Sequence, residues 1–214
     1  MNKIITFDLY GTLIDPTNLF DGVCVVLAEE AGENPEDIKK EFSEKYYEYF
    51  ENYYLKEFKS ERYYYVSLFN YFIKKYGLSR SEDYYIDYMY MTFSDLKYYD
   101  DVSLLSVLKE RGYRLMVISN ADSIFVRNFF EKNENYFDEI IISEEVKLYK
   151  PDIRIFSILK EKYGSYIYVG DNPVSDVLGA RKAGLEAVLI DRYGKNNLYR
   201  NRVTNIEELL DYLK

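Results

Sequence analysis

The stretch K-I-I-T-F-D-L-Y-G-T-L-I-D-P, residues 3–16, governs how the rest of the chain is read. Lys3 to Phe7 is a short β-branched and aromatic run, the pattern of a buried strand, and it ends at Asp8. Gly11, Asp15 and Pro16 then break the pattern. From Asn18 to about Tyr98 no strand signal follows, only helical periodicities. Leu19, Val23, Val26 and Leu27 fit one helix, closed near Gly32. Asn34-Pro35 reads as an N-cap with proline at the first helical position, and Glu36 and Asp37 suit the helix dipole. That helix carries Ile38, Phe42, Tyr46, Tyr49 and Tyr53 on one face. Ser60 opens a third helix that ends near Gly77, and Ser81 a fourth that offers Tyr85, Tyr88, Met89, Met91 and Phe93 for packing.

From Asp100 the pattern becomes alternation. A helix through Leu104, Leu105 and Leu108 stops at Gly112, and Tyr113 to Ile118 is a strand ending at Ser119-Asn120. Helix Ser123 to Lys132, strand Glu139 to Ile142 and helix Ile153 to Tyr163 follow. Strand Tyr166 to Val169 ends at Gly170-Asp171. After it come helix Pro173 to Ala183, strand Ala187 to Ile190 and helix Ile206 to Leu213. Strands separated by helices imply an α/β fold, a parallel sheet with helices on both faces. Its first strand is Lys3 to Phe7, so an all-α module of about four helices is inserted directly after that strand. The expected division is 1–15 and 100–214 for the α/β core, and 16–99 for the helical insert.

Composition narrows the chemistry. The chain of 214 residues has no His, which excludes imidazole as base, nucleophile partner or zinc ligand. One Cys, Cys24, leaves no disulfide framework or Cys-rich metal site, and it reads as a small buried residue. The net charge of −9 opposes binding to nucleic acid or to an anionic membrane. The longest apolar run, Val23 to Ala28, is far below the ~20 residues of a membrane span, and no leader pattern precedes the first strand. A cytoplasmic protein, monomer or homodimer, is the expectation. Sixteen of the 26 Tyr lie between Tyr46 and Tyr99, where helix packing is their simplest role.

Open parallel sheets bind ligands beyond the carboxyl ends of their strands. There the sequence places Asp8, Tyr10 and Thr12, then Ser119-Asn120, then Lys150 before Pro151, then Asp171 and Asp176. A carboxylate such as Asp8 can form a covalent ester that water then cleaves. Thr12 can offer its amide and hydroxyl to an anion. Asp8, Asp171 and Asp176 are hard oxygen donors suited to Mg²⁺. Lys150 supplies a positive charge against crowded carboxylates and against charge developing on a substrate. The plainer reading makes Asp171 and Asp176 caps of the helix from Pro173.

These segments resemble the haloacid dehalogenase (HAD) superfamily of hydrolases. D-L-Y-G-T-L from Asp8, I-S-N ending at Asn120, Y-K-P around Lys150 and G-D-N-P-V-S-D from Gly170 stand in the family's order. The insert after the first motif looks like the family's first type of cap. The resemblance implies a Rossmann-like core with Asp8 as nucleophile and metal ligand. It also implies the main-chain carbonyl of Tyr10 and the carboxylate of Asp171 as further ligands, and Asp176 in support. Ser119, the amide of Asn120 and Lys150 would hold the transferring group. The cap would close over the site and choose a small phosphorylated or halogenated substrate.

Two positions disagree within that resemblance. Tyr10 stands where the family's phosphatases usually have a second Asp that protonates the leaving alkoxide. The 2-haloacid dehalogenase branch has Tyr there, because halide leaves without a proton. Asp171 points the other way, since that branch uses no metal and Asp171 would face a haloacid carboxylate with nothing to neutralise it. A misplaced buried carboxylate damages binding itself, whereas loss of a general acid costs roughly 10²–10⁴-fold in rate. The favoured expectation is therefore an Mg²⁺-dependent phosphatase working through an aspartyl-phosphate on Asp8. The alternatives are a metal-free 2-haloacid dehalogenase and a HAD-fold ligand-binding protein of low turnover.

Overall fold

Strand β1, Ile4–Phe7, is buried along its whole length and lies inside a six-stranded sheet. The others are β2 (Arg114–Ser119), β3 (Glu139–Ile142), β4 (Ile167–Gly170), β5 (Glu186–Ile190) and β6 (Arg202–Val203). Their order is β3-β2-β1-β4-β5-β6, and every pairing is parallel. The computed structural model describes residues 3–93, 95–196 and 198–214. Strands covered on both faces are continuously apolar rather than alternating, which is why I-I-T-F and L-M-V-I are legible as strands. On one face Ile4, Met116, Ile118, Tyr168 and Leu189 pack with Ile155, Phe156 and Leu159 of a helix over Ile153–Tyr163. Alternate residues Ile5, Phe7, Leu115, Val117 and Val188 point to the other face and are equally buried. The two-residue β6 is too short to leave a sequence pattern.

The chain returns from β3 to the far side of β1, so the strand order reverses at β1. Phe7 is in register with Val117 of β2 and Val169 of β4. The residues that follow these three strands therefore emerge side by side.

By contact the chain divides into two compact units. The first comprises Met1–Pro16, Lys97–Asn120 and Asn133–Lys214, and holds the sheet. The second comprises Thr17–Leu96 and Ala121–Lys132. It contains α1 (Asp21–Ala31), α2 (Pro35–Tyr49), α3 (Glu61–Tyr76) and α4 (Glu82–Phe93). Gly32 and Gly77 end α1 and α3 in the left-handed conformation. Asn34 caps α2 by accepting from the Glu36 amide at 2.8 Å. The helical unit also takes in the helix over Ser123–Lys132, which the sequence reading assigned to the alternating part. Its packing goes there: the Phe125 ring centroid lies 4.0 Å from that of Tyr90 and 4.4 Å from that of Phe93. The tyrosines do pack: Tyr65 and Tyr85 are among the largest buried side chains, and the Tyr85 hydroxyl donates a hydrogen bond to Glu30. Cys24 is buried, which pushes its thiol up to about 12 and leaves it inert. Among the described residues no helix is long and apolar enough to cross a membrane.

Candidate active site

Asp8 leaves β1 with its amide donating to the Val169 carbonyl at 2.8 Å, so the parallel ladder runs up to it. The chain then turns tightly, with the Leu9 carbonyl accepting from Leu13 (2.8 Å) and Ile14 (2.9 Å). Tyr10 is half-buried and bridges to Ile14. Gly11 has φ +83°, and a Cβ there would fall 2.4 Å from Asp171 Oδ2. Glycine is needed for both reasons.

Lys150 is 1% exposed, yet it carries a charge. Its backbone is gripped by Asn120, whose Oδ1 accepts from Lys150 N (2.8 Å) and whose Nδ2 donates to Lys150 O (3.1 Å). Its ammonium donates to Asp8 Oδ1 (2.6 Å), Asp176 Oδ1 (2.7 Å) and the Tyr168 hydroxyl (3.0 Å), which uses all three protons. The sequence reading did not single out Tyr168. Its one signal is a polar tip in an otherwise aliphatic strand.

Asp176 does not sit on an ordinary α-helical turn. The Asn172 carbonyl accepts from both Asp176 N (3.1 Å) and Val177 N (3.2 Å), which widens Pro173–Leu178 into a π-type turn before Gly179–Lys182. The expected single helix from Pro173 is thus two pieces. Asn172 caps the wide turn by accepting from Val174 and Ser175, and Asp176 Oδ2 accepts in return from Asn172 N at 2.9 Å. A Cβ on Gly170 would lie 2.5 Å from the Asp176 carboxyl carbon. Gly170 therefore makes room for Asp176, and Gly11 for Asp171.

Oxygens of Asp8, Asp171 and Asp176 can all lie within 4.8 Å of one another. One ammonium faces three carboxylates. Burial, opposed by Lys150 and reinforced by Asp176, pushes the Asp8 carboxyl up to about 6. Burial, with the charges of Asp8 and Asp176, pushes Asp171 up to about 8. Lys150 loses solvation too, but its attraction to Asp176 and Asp8 outweighs this and holds it charged. The cluster is short of positive charge, and its donors are all hard oxygens. Asp8 Oδ2 is buried with no partner among the described residues. These features fit a divalent cation held by Asp8 and Asp171, with Asp176 fixing Lys150 and the loop around them.

The structure thus brings Asp8, Lys150, Asp171 and Asp176 together and sets Asn120 on the Lys150 backbone. Ser119 ends β2, the strand beside β1. The hydroxyls of Ser119 and Thr12 are buried and have no partner among the described residues. Buried hydroxyls left in that state suit an incoming polar ligand.

Three carboxylates and a buried lysine thus meet where the order of a parallel sheet reverses, the edge at which such sheets bind ligands. Residues 5–190 match the model of the haloacid dehalogenase-like hydrolase family, and the chain belongs to that family. It is 35% identical over 129 residues to the glyceraldehyde 3-phosphate phosphatase of Methanothermobacter thermautotrophicus, covering 52% of this chain and 56% of that protein. It is 30% identical over 96 residues to haloacetate dehalogenase H-2 of a Moraxella species, covering 42% of each. The chain spans about half the length of these curated relatives. Among solved structures, the magnesium-bound HAD-hydrolase YfnB of Bacillus subtilis superposes with a TM-score of 0.85 at 18% identity, covering 99% of this chain and 98% of that one. At that identity the likeness concerns the fold.

Proposed function

We propose that this chain is an Mg²⁺-dependent phosphatase acting on a small phosphorylated metabolite. One observation carries the reading: Asp171 is held against Asp8 and Asp176 with a single ammonium between them. A metal-free haloacid site has no use for that surplus negative charge. When bound, Mg²⁺ would supply electrostatic stabilisation to the transferring phosphoryl group.

The residues divide the remaining work. Lys150 donates to Asp8 Oδ1 and holds the carboxylate in place as the attacking group. One Asp8 oxygen forms a bond to phosphorus, the ester oxygen leaves with the bonding pair, and Asp8 carries the phosphoryl group. Water then attacks phosphorus, inorganic phosphate departs and the carboxylate is restored. Thr12, Ser119 and the main chain at Asn120 offer donors to the phosphoryl oxygens, alongside the charge of Lys150. Tyr10 replaces the usual acid, so alkoxides that need a proton leave slowly and stable leaving groups leave fast. Tyr10 is also what favours the second reading, a 2-haloacid dehalogenase with an ester on Asp8.

Phosphate release from p-nitrophenyl phosphate, with Mg²⁺ and again with EDTA, separates the two. The expected result is metal-dependent release that disappears in Asp8→Asn. Chloride release from 2-chloropropionate that is indifferent to EDTA would replace the phosphatase reading with the second one.

A further inference from the structure

Arg192, two residues beyond β5, is tied to the turn that carries Asp8. Its Nε and Nη2 donate to one oxygen, the Thr12 carbonyl, at 3.1 and 2.7 Å. Its Nη1 donates to Asp101 Oδ2 at 2.6 Å, and that same oxygen accepts from Ile206 N, at the start of the helix Ile206–Tyr212. The guanidinium carbon lies 4.3 Å from the centre of the Tyr99 ring. The Arg192 side chain is 7% exposed, and Thr12 is wholly buried. The neighbouring Tyr193 hydroxyl donates to Asp15 at 3.3 Å.

We propose that Arg192 is a positioning residue that holds the turn bearing Asp8 and Thr12 in its working geometry. The link is short. The Thr12 carbonyl belongs to the peptide whose amide, Leu13 N, donates to the Leu9 carbonyl, and Leu9 directly follows Asp8. Two donors from one cation onto a single carbonyl make a charge-assisted anchor. Asp101 and Tyr99 fix the guanidinium at its other end. Lysine offers a point charge without the planar fork and so cannot span both partners in this geometry. Among the described residues the Arg192 guanidinium donates to Thr12 and Asp101 and not to the carboxylate cluster. Its effect runs through the turn.

The kinetic part of this inference rests on the phosphatase reading, so the test has two independent arms. In the first, p-nitrophenyl phosphate turnover with Mg²⁺ is compared in wild type, Arg192→Ala and Arg192→Lys. A displaced nucleophile costs on the order of 10²-fold, so kcat should fall about 10–100-fold with KM nearly unchanged. Added methylguanidinium should restore part of the Arg192→Ala rate and leave wild type unaffected. The second arm needs no turnover: amide hydrogen exchange across residues 8–14 should accelerate in both variants while β2 keeps its protection. If wild type hydrolyses no aryl phosphate, the phosphatase reading fails and the exchange arm alone decides about Arg192. If Arg192→Ala does not fold, Arg192→Lys carries both arms. Wild-type kcat together with wild-type exchange at residues 8–14 in a folded variant overturns the proposal.

Discussion

Asp171 is the residue whose protonation should govern the metal-free protein. Burial and its two carboxylate neighbours lift it from 3.8 to about 8, and Asp8 rises to about 6. A carboxyl that holds its proton more tightly when folded stabilises the fold wherever that proton is bound. This contribution is whole below about pH 4 and is lost as pH rises through the folded values, from Asp8 first and Asp171 last. In EDTA the melting temperature should therefore fall between about pH 5 and about pH 8. Saturating Mg²⁺ should flatten that slope, and so should Asp171→Asn in EDTA, because it removes the charge. A metal-free melting temperature that climbs across this window would sink the electrostatic account of the cluster. At this scale the sequence was informative about residue types and positions at strand ends. It was silent on Tyr168, because a hydroxyl inside a buried strand acquires meaning only when folding brings Lys150 and Asp176 to it.

Helix ends show which local signals can be read along the chain. Asn34 caps the helix that begins one residue later, and that is visible in four letters. Ser60 looks equally apt for α3, but its side chain makes no capping bond. The cap is Asp122, 61 residues away from Glu61: its Oδ1 accepts from Glu61 N and its Oδ2 from Arg62 N, each at 2.8 Å. Tyr90 donates to the same carboxylate at 2.9 Å, and Asp122 is 2% exposed. A carboxylate at a helix N-terminus gains from the dipole as well as from the bonds. Asp122→Ala should thus destabilise by roughly 1–3 kcal/mol, the cap plus the buried Tyr90 hydroxyl left unpaired. Ser60→Ala should stay within about 0.5 kcal/mol of wild type. Urea unfolding of the two variants decides it, and a larger cost at Ser60 would contradict the assignment. The wide turn at Pro173–Leu178 was hidden for a related reason. It ends at Gly179, where a Cβ would meet Phe156 at 2.8 Å and Pro151 at 3.0 Å, contacts that no local pattern encodes.

For the whole molecule, the readable fact was that strands alternate with helices, which fixes the parallel sheet and places chemistry where its order reverses. Which unit the segment 121–132 joins was not readable, since its apolar face could serve either, and the contacts of Phe125 with Tyr90 and Phe93 and of Asp122 with Glu61, Arg62 and Tyr90 select the helical one. A net charge of −9 adds a global question about the metal, because any acidic surface attracts Mg²⁺ loosely. Binding to the folded state alone stabilises by RT ln(1 + [L]/Kd), about 2.7 kcal/mol at a hundredfold excess over Kd. For a chain of this length that corresponds to a rise of roughly 5–10 °C in melting temperature. Diffuse attraction to the surface would act on every variant alike. A site built from Asp8 and Asp171 should lose the rise in Asp171→Asn and keep it in Ser60→Ala. The added protection against hydrogen exchange should concentrate in the unit that holds the sheet. Scanning calorimetry across an Mg²⁺ series separates these cases, and an equal rise in wild type and Asp171→Asn would place the ion elsewhere.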